Sequence, residues 1–186
     1  MKYREILLNQ IKNQPYFDKK AICQLGKQYR IKKTTVNTYI SRSLKRKELI
    51  SLKNGLYVSA DFYNKNKGDI SYSFYLANIL RAPSYVSSWT ALQYYNLATE
   101  AIYTITSVTP KVTRSYPTKI GNFTYQSVKE ELFSNFSLIK GKFNFFIASP
   151  SKALFDMLYF KTRQFRGVKR ENIKSLIEEL RIDFDE

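Results

Sequence analysis

The sequence predicts an α+β protein in two modules: three helices and a hairpin first, then a larger mixed α+β module. Three observations predict it. Apolar residues recur at helical spacing in three short stretches before residue 48. Two apolar runs then flank Asn54-Gly55, the strongest short hairpin signal, because both residue types tolerate φ > 0. Beyond the polar stretch Asp61–Asp69, β-branched and aromatic runs alternate with helical patterns.

Tyr3, Leu7 and Ile11 recur at i, i+4 and i+8, with Ile6 alongside, which predicts a first helix over residues 2–13. Pro15 ends it, since proline cannot continue the hydrogen-bond ladder. Asp18 is a good N-cap for a second helix, whose buried stripe would be Ala21, Ile22, Leu25 and Tyr29. Residues 30–33 make a short turn. Thr34 is the expected cap of a third helix running to about Lys47.

On that third helix, 100° per residue puts Val36, Ile40, Ser43 and Leu44 on one side. Thr35, Thr38, Arg42, Lys45 and Arg46 fall opposite, with Asn37 and Ser41 on one flank. The outward face joins hydroxyls, an amide and cations, with no acid until Glu48. A solvated helix face usually mixes both signs of charge. This face suits a major groove instead, where Arg bonds guanine, Asn reads adenine and Thr meets a phosphate or a thymine methyl. The hairpin Leu49–Val58 follows directly, with Lys53 and Asn54 at its tip. Three helices and a hairpin in this order are a winged helix-turn-helix. The predicted DNA-contacting set is Lys33, Thr34, Thr35, Asn37, Thr38, Ser41, Arg42, Lys45 and Arg46, with Lys53 and Asn54 on the wing.

The predicted organisation is residues 1–60 as the DNA-binding domain, 61–69 as a linker and 70–186 as the α+β domain. In the last, Ser71–Leu80 reads as a helix with Phe74, Tyr75, Ile79 and Leu80 inward. Residues 83–86 read as extended, and Ser87 as the cap of a helix burying Trp89, Leu92 and Tyr95. Strands are expected at Ala101–Thr109, Phe123–Val128, Leu138–Ile139 and Phe143–Ala148. Ser149-Pro150 starts a helix with Ala153, Leu154, Met157 and Leu158 inside. A last helix, Glu171–Arg181, would bury Ile173, Leu176, Ile177 and Leu180.

Composition narrows the function. The 186 residues hold 31 Lys/Arg against 15 Asp/Glu, a formal net charge of +16. Residues 1–60 carry 14 cations and 3 acids, a net of +11, so most of the excess lies in the first module. A concentrated positive field attracts polyanions. With no histidine, every Ser-His or Cys-His nucleophile pair is excluded, and the lone Cys23 excludes a disulfide framework. No apolar run approaches the ~18 residues of a membrane span, and the start has no signal-peptide core, so a cytoplasmic protein is expected. Glu130, Glu131, Asp156 and Glu171 form no acid-x-acid-x-Lys pattern for a catalytic metal. Asp183-Phe184-Asp185 lacks the Gly-Ser phosphate-binding turn of nucleotidyltransferases. The expectation is a non-enzyme without cofactor or metal. The alternatives are a plain winged-helix regulator whose second domain senses a ligand or dimerises, and a metal-dependent nuclease or nucleotidyltransferase. Tyr85, Trp89, Tyr94 and Tyr95 would suit base stacking, but their helical spacing favours a core.

The stretches GLYV after the hairpin, ANILRAPSYVSSWTALQYYNLATEAIYTITSVTP and FFIASPSKALFDMLYF resemble AbiEi-type antitoxins of type IV toxin–antitoxin, abortive-infection systems. The resemblance covers nearly the whole chain and is most specific at Pro83–Ala91 and Ala148–Tyr159. It implies a winged helix that binds inverted repeats in the operon's own promoter and represses it. It also implies a C-terminal domain that opposes a nucleotidyltransferase toxin without forming a stable complex with it. Thr35, Asn37, Thr38, Ser41 and Arg42 would then read double-stranded DNA, with Lys53 on the wing.

Overall fold

The computed structural model describes residues 2–98, 103–162, 166–167 and 170–179. Among them the chain is mixed α+β, with eight α-helices and two sheets. It packs as two units, Met1–Ser73 with Thr118–Ile120, and Phe74–Pro117 with Gly121–Glu186.

The first unit opens with α1 (Lys2–Ile11), α2 (Lys19–Gln28) and α3 (Lys33–Lys45). Between α1 and α2 lies a two-residue strand, β1 (Phe17–Asp18), too short for the sequence pattern to reveal. It pairs antiparallel with β3 (Leu56–Ser59), which also pairs with β2 (Leu49–Lys53), so the sheet runs β1-β3-β2. Leu7, Ile11, Phe17, Ile22, Ile31, Val36, Ile40, Leu49 and Tyr57 form one buried cluster that joins the helices to this sheet. Asp18 caps α2 as expected, its Oδ1 accepting the Ala21 N–H at 2.6 Å.

The buried face of α2 is narrower than the predicted stripe. Ile22 and Gly26 are buried, Leu25 is half-buried, and Ala21 and Tyr29 are exposed. Gly26 sets the closeness of α2 and α3: a Cβ there would lie 2.6 Å from Val36 Cγ2, below any normal contact. Gly26→Val should therefore destabilise the protein by about 1–3 kcal/mol through overpacking. Urea unfolding followed by circular dichroism checks this, as a lower midpoint at unchanged slope.

Helix α3 begins before its expected cap. Lys32 is the N-cap, and the Val36 N–H reaches the Lys32 carbonyl at 3.1 Å, which starts the ladder early. Thr34 instead lies in the first turn, its carbonyl accepting the Thr38 hydroxyl at 3.0 Å. The helix stops at Lys45 because Lys47 turns left-handed, with φ 59°. In the hairpin turn only Gly55 adopts positive φ, 78°, and the ladder slips between Ser51 and Lys53. Residues 61–69, expected as a linker, begin with helix α4 (Ala60–Asn66). Ser59 supplies its cap by accepting the Phe62 N–H, and Asp61 sits in its first turn, where an acid favours the helix dipole.

The second unit is built on six strands in the order β6-β7-β5-β4-β9-β8. These are β4 (Tyr85–Val86), β5 (Thr104–Thr109), β6 (Arg114–Thr118), β7 (Gly121–Ser127), β8 (Phe136–Ile139) and β9 (Phe145–Ala148). β5 runs parallel to β7 and β4 parallel to β9; β4–β5 and β8–β9 are antiparallel. β6 was not foreseen. Helix α5 (Ile70–Leu80) carries the boundary between the units. Its Phe74 packs edge-on to Phe145, and its Ala77 carbonyl accepts the buried Tyr125 hydroxyl at 2.6 Å. Asn78 on α5 is a buried bridge, bonding the Ser84 carbonyl at 3.3 Å and the Phe146 N–H at 2.6 Å. Helices α6 (Ser88–Tyr94) and α7 (Pro150–Lys161) pack on each other. Ser149 caps α7, with Pro150 in its first turn. Helix α8 (Arg170–Glu179) follows. Residues Ala101 and Ile102, Leu180 and Arg181, and Asp183–Asp185, on which expectations were placed, lie outside the described residues.

Candidate nucleic-acid interface

Helix α3 turns Val36, Ile40 and Ser43 into the core, and this decides which residues face outward. Lys33, Thr34, Thr38, Ser41, Arg42 and Lys45 are exposed, as is Arg46 just beyond the helix. Thr35 and Asn37 are half-buried on its sides. The Asn37 Oδ1 is buried without a hydrogen-bond partner, so in this rotamer the amide does not offer its oxygen outward. Adenine needs both amide atoms, which makes Asn37 a weaker base reader than its sequence position implies. Thr38 donates its hydroxyl proton to the Thr34 carbonyl, leaving lone pairs and a methyl group to face outward. Within Lys33–Lys45 there is no acid at all.

The hairpin tip is held against α2. The Lys19 N–H donates to the Gly55 carbonyl at 2.8 Å. This brings exposed Asn54 and half-buried Lys53 to the N-terminal end of α2. One open groove results, lined by Asp18, Lys19, Lys20, Cys23, Gln24, Lys27, Lys33, Asn54 and Gly55. Its one acid, Asp18, is already engaged as the α2 cap. Lys19, Lys20, Gln24 and Lys27 were not among the predicted residues. The signal was present: like α3, α2 carries cations and no acid; Lys20, Gln24 and Lys27 fall on the side away from Ile22 and Gly26, and Lys19 is exposed in the first turn. The groove gathers four lysine ammonium groups and two side-chain amides, a donor-rich set suited to phosphate oxygens.

No protein-family model matches the chain, and no curated protein matches it. The interface therefore rests on its own geometry. No helix among the described residues is long and apolar enough to cross a membrane. Among the same residues no group of three or more His, Cys, Asp or Glu side chains could hold a metal ion.

The second unit contains a different polar constellation. On α7, Lys152 Nζ lies 2.8 Å from Asp156 Oδ1, with the two residues only 6% and 0% exposed. Asp156 Oδ2 accepts the Ser87 hydroxyl at 2.7 Å and the Tyr85 hydroxyl at 3.0 Å. Lys152 also donates to the Leu132 carbonyl at 2.8 Å and lies over the Phe155 ring. Ser87 holds the N-cap position of α6, but its side chain turns to Asp156 rather than to the helix, which departs from the expected cap bond. Burial raises the Asp156 carboxyl above the usual carboxylate range, and the Lys152, Ser87 and Tyr85 bonds pull the other way. Burial, with the Asp156 carboxylate beside it, pushes the Tyr85 phenol far above its ordinary value. Tyr85, Ser87 and Asp156 are sealed from solvent, so the arrangement fastens the β4–α6 corner and the residue 132 turn to α7. The aromatic quartet considered for stacking is split: Tyr85 is buried, Trp89 and Tyr95 are half-buried, and Tyr94 packs on Phe74 and Phe145.

Proposed function

We propose that this protein is a DNA-binding antitoxin and transcriptional autorepressor. In this reading the first unit is a winged helix-turn-helix, with α3 as the reading helix and β2–β3 as the wing. The observation that carries it is the pairing of two acid-free helix faces, on α2 and α3, with a hairpin tip bonded to the first of them. Arg42, exposed in the last turn of α3, is assigned a base contact. Lys19, Lys20, Lys27, Lys33, Lys53 and Asn54 are assigned the backbone of double-stranded DNA. The target is the promoter of its own operon, at inverted repeats in the cytoplasm. The antitoxin role is supported by the resemblance of Pro83–Ala91 and Ala148–Tyr159 to AbiEi-type antitoxins. The counterpart is a nucleotidyltransferase from a neighbouring gene, opposed through its effect rather than held in a complex.

Arg42→Ala should weaken promoter binding by about 1–3 kcal/mol and relax base preference at one position. Quantitative footprinting on the promoter and on single-base variants reads both effects. Promoter binding unchanged by Arg42→Ala would remove α3 as the reader. The same variant should still protect cells that express the neighbouring nucleotidyltransferase, because protection is assigned to the second unit. A protein that footprints normally but gives no protection keeps the DNA-binding half and loses the antitoxin half.

A further inference from the structure

The two edges of the six-stranded sheet, β6 and β8, are finished differently. β6 carries Pro117 and an exposed Arg114, both of which discourage another strand from pairing. β8 is Phe136-Ser137-Leu138-Ile139, with neither proline nor charge. The Ser149 N–H donates to the Asn135 carbonyl at 3.1 Å, and Phe136 lies opposite Ala148. Antiparallel alternation then turns residues 135, 137 and 139 toward β9 and aims the N–H and C=O groups of Phe136 and Leu138 at the open edge. Among the described residues no strand receives them. Leu138 also lies directly opposite Phe146, and the two remain 41% and 40% exposed.

We infer that β8 is a self-pairing edge, which joins a second copy of this chain through an antiparallel β8–β8 contact. A two-fold axis perpendicular to the sheet keeps each face on its own side, so residues facing each other across the contact must share a face. With the axis at Ser137, Phe136 of each copy faces Leu138 of the other. Those two pairs exchange about four backbone hydrogen bonds, using the groups already aimed outward. They also bring apolar side chains together on the face that carries Phe146. Charge selects a second copy in this orientation. Exposed Lys129, Glu130 and Glu131 precede β8, with the two acids nearer the strand and a net charge of −1, and exposed Lys140 and Lys142 follow it. Antiparallel pairing sets the acidic end of one copy beside the basic end of the other, whereas parallel pairing would set like beside like.

The contact is independent of the DNA-binding reading and is measured without DNA. Sedimentation velocity of the full chain over two decades of concentration should show a reversible dimer. Leu138→Pro removes one outward donor while sparing the ladder to β9, and Leu138→Lys puts a charge into the apolar pair; each should leave a monomer with unchanged circular dichroism. Ser137→Cys in a Cys23→Ser background tests the register, because position 137 meets itself across the axis. It should form a reducible disulfide dimer on mild oxidation, and Ser134→Cys in the same background should not. A full chain that stays monomeric, or a dimer that survives both Leu138 variants, overturns the proposal. So does a different protein co-purifying on this edge while the chain itself stays monomeric.

Discussion

Replacing Asp156 by Asn should destabilise the protein by about 3–5 kcal/mol, because the Lys152 ammonium would stay buried without a counter-charge. Against typical domain stabilities of about 5–15 kcal/mol, that is a large fraction of the whole. Lys152→Met should cost a similar amount by stranding the carboxylate. The double variant should cost clearly less than the sum of the two, since it removes both charges together. Chemical denaturation of all four proteins measures the coupling, and strict additivity would show that the two charges act separately.

Replacing Lys19, Lys20 and Lys27 together by Ala should reduce binding to every DNA sequence alike. Each lost phosphate contact lowers the salt slope of log affinity by about 0.9, so three lysines account for a drop of about three units. Sequence preference should persist, which separates these residues from Arg42. Salt titrations on the promoter and on unrelated duplexes test this. An unchanged slope would mean that the α2 groove lies off the DNA path. The structure supplies the reason for testing these residues as a group: the Lys19 N–H fixes the hairpin tip beside all three.

How legible each element was follows from what defines it. α3 could be read because Val36, Ile40 and Ser43 recur at helical spacing and are buried as that spacing requires. Asp18 could be read as a cap because capping is a local bond between residues three apart. Lys32 could not, because its N-cap position is set by backbone geometry without any side-chain bond. β1 is two residues long, and β6 reads RSYPT; neither shows an alternation that a period-two pattern can detect. Lys152 and Asp156 look from sequence like an ordinary i,i+4 surface pair. Their burial comes from Tyr85 and Ser87, about seventy positions earlier, and from the Leu132 carbonyl. At the candidate interface the α3 face was legible from its charge pattern. The α2 lysines carried the same acid-free signal; what the sequence did not show is that the Gly55 turn closes against them.

The strand order also sets a timetable. Val86 of β4 has one neighbour at Ser107 and the other at Ile147, roughly twenty and sixty positions along the chain. Closing the longer loop costs only about 1 kcal/mol more in chain entropy, a small thermodynamic difference. For a chain emerging from the ribosome the difference is larger, because β4 and β5 are made long before β9 exists to pair with the other side of β4. The first unit is built from Met1–Ser73, with Thr118–Ile120 as its later segment, so most of it is made while synthesis continues. The centre of the second unit must wait for residues 145–148. Through that interval Tyr85 and Val86, both fully buried in the finished protein, stand unprotected. Slower translation between residues 110 and 148 should therefore lower the yield of folded chain while leaving its finished stability unchanged, which synonymous-codon variants compared for soluble yield and for unfolding midpoint would check.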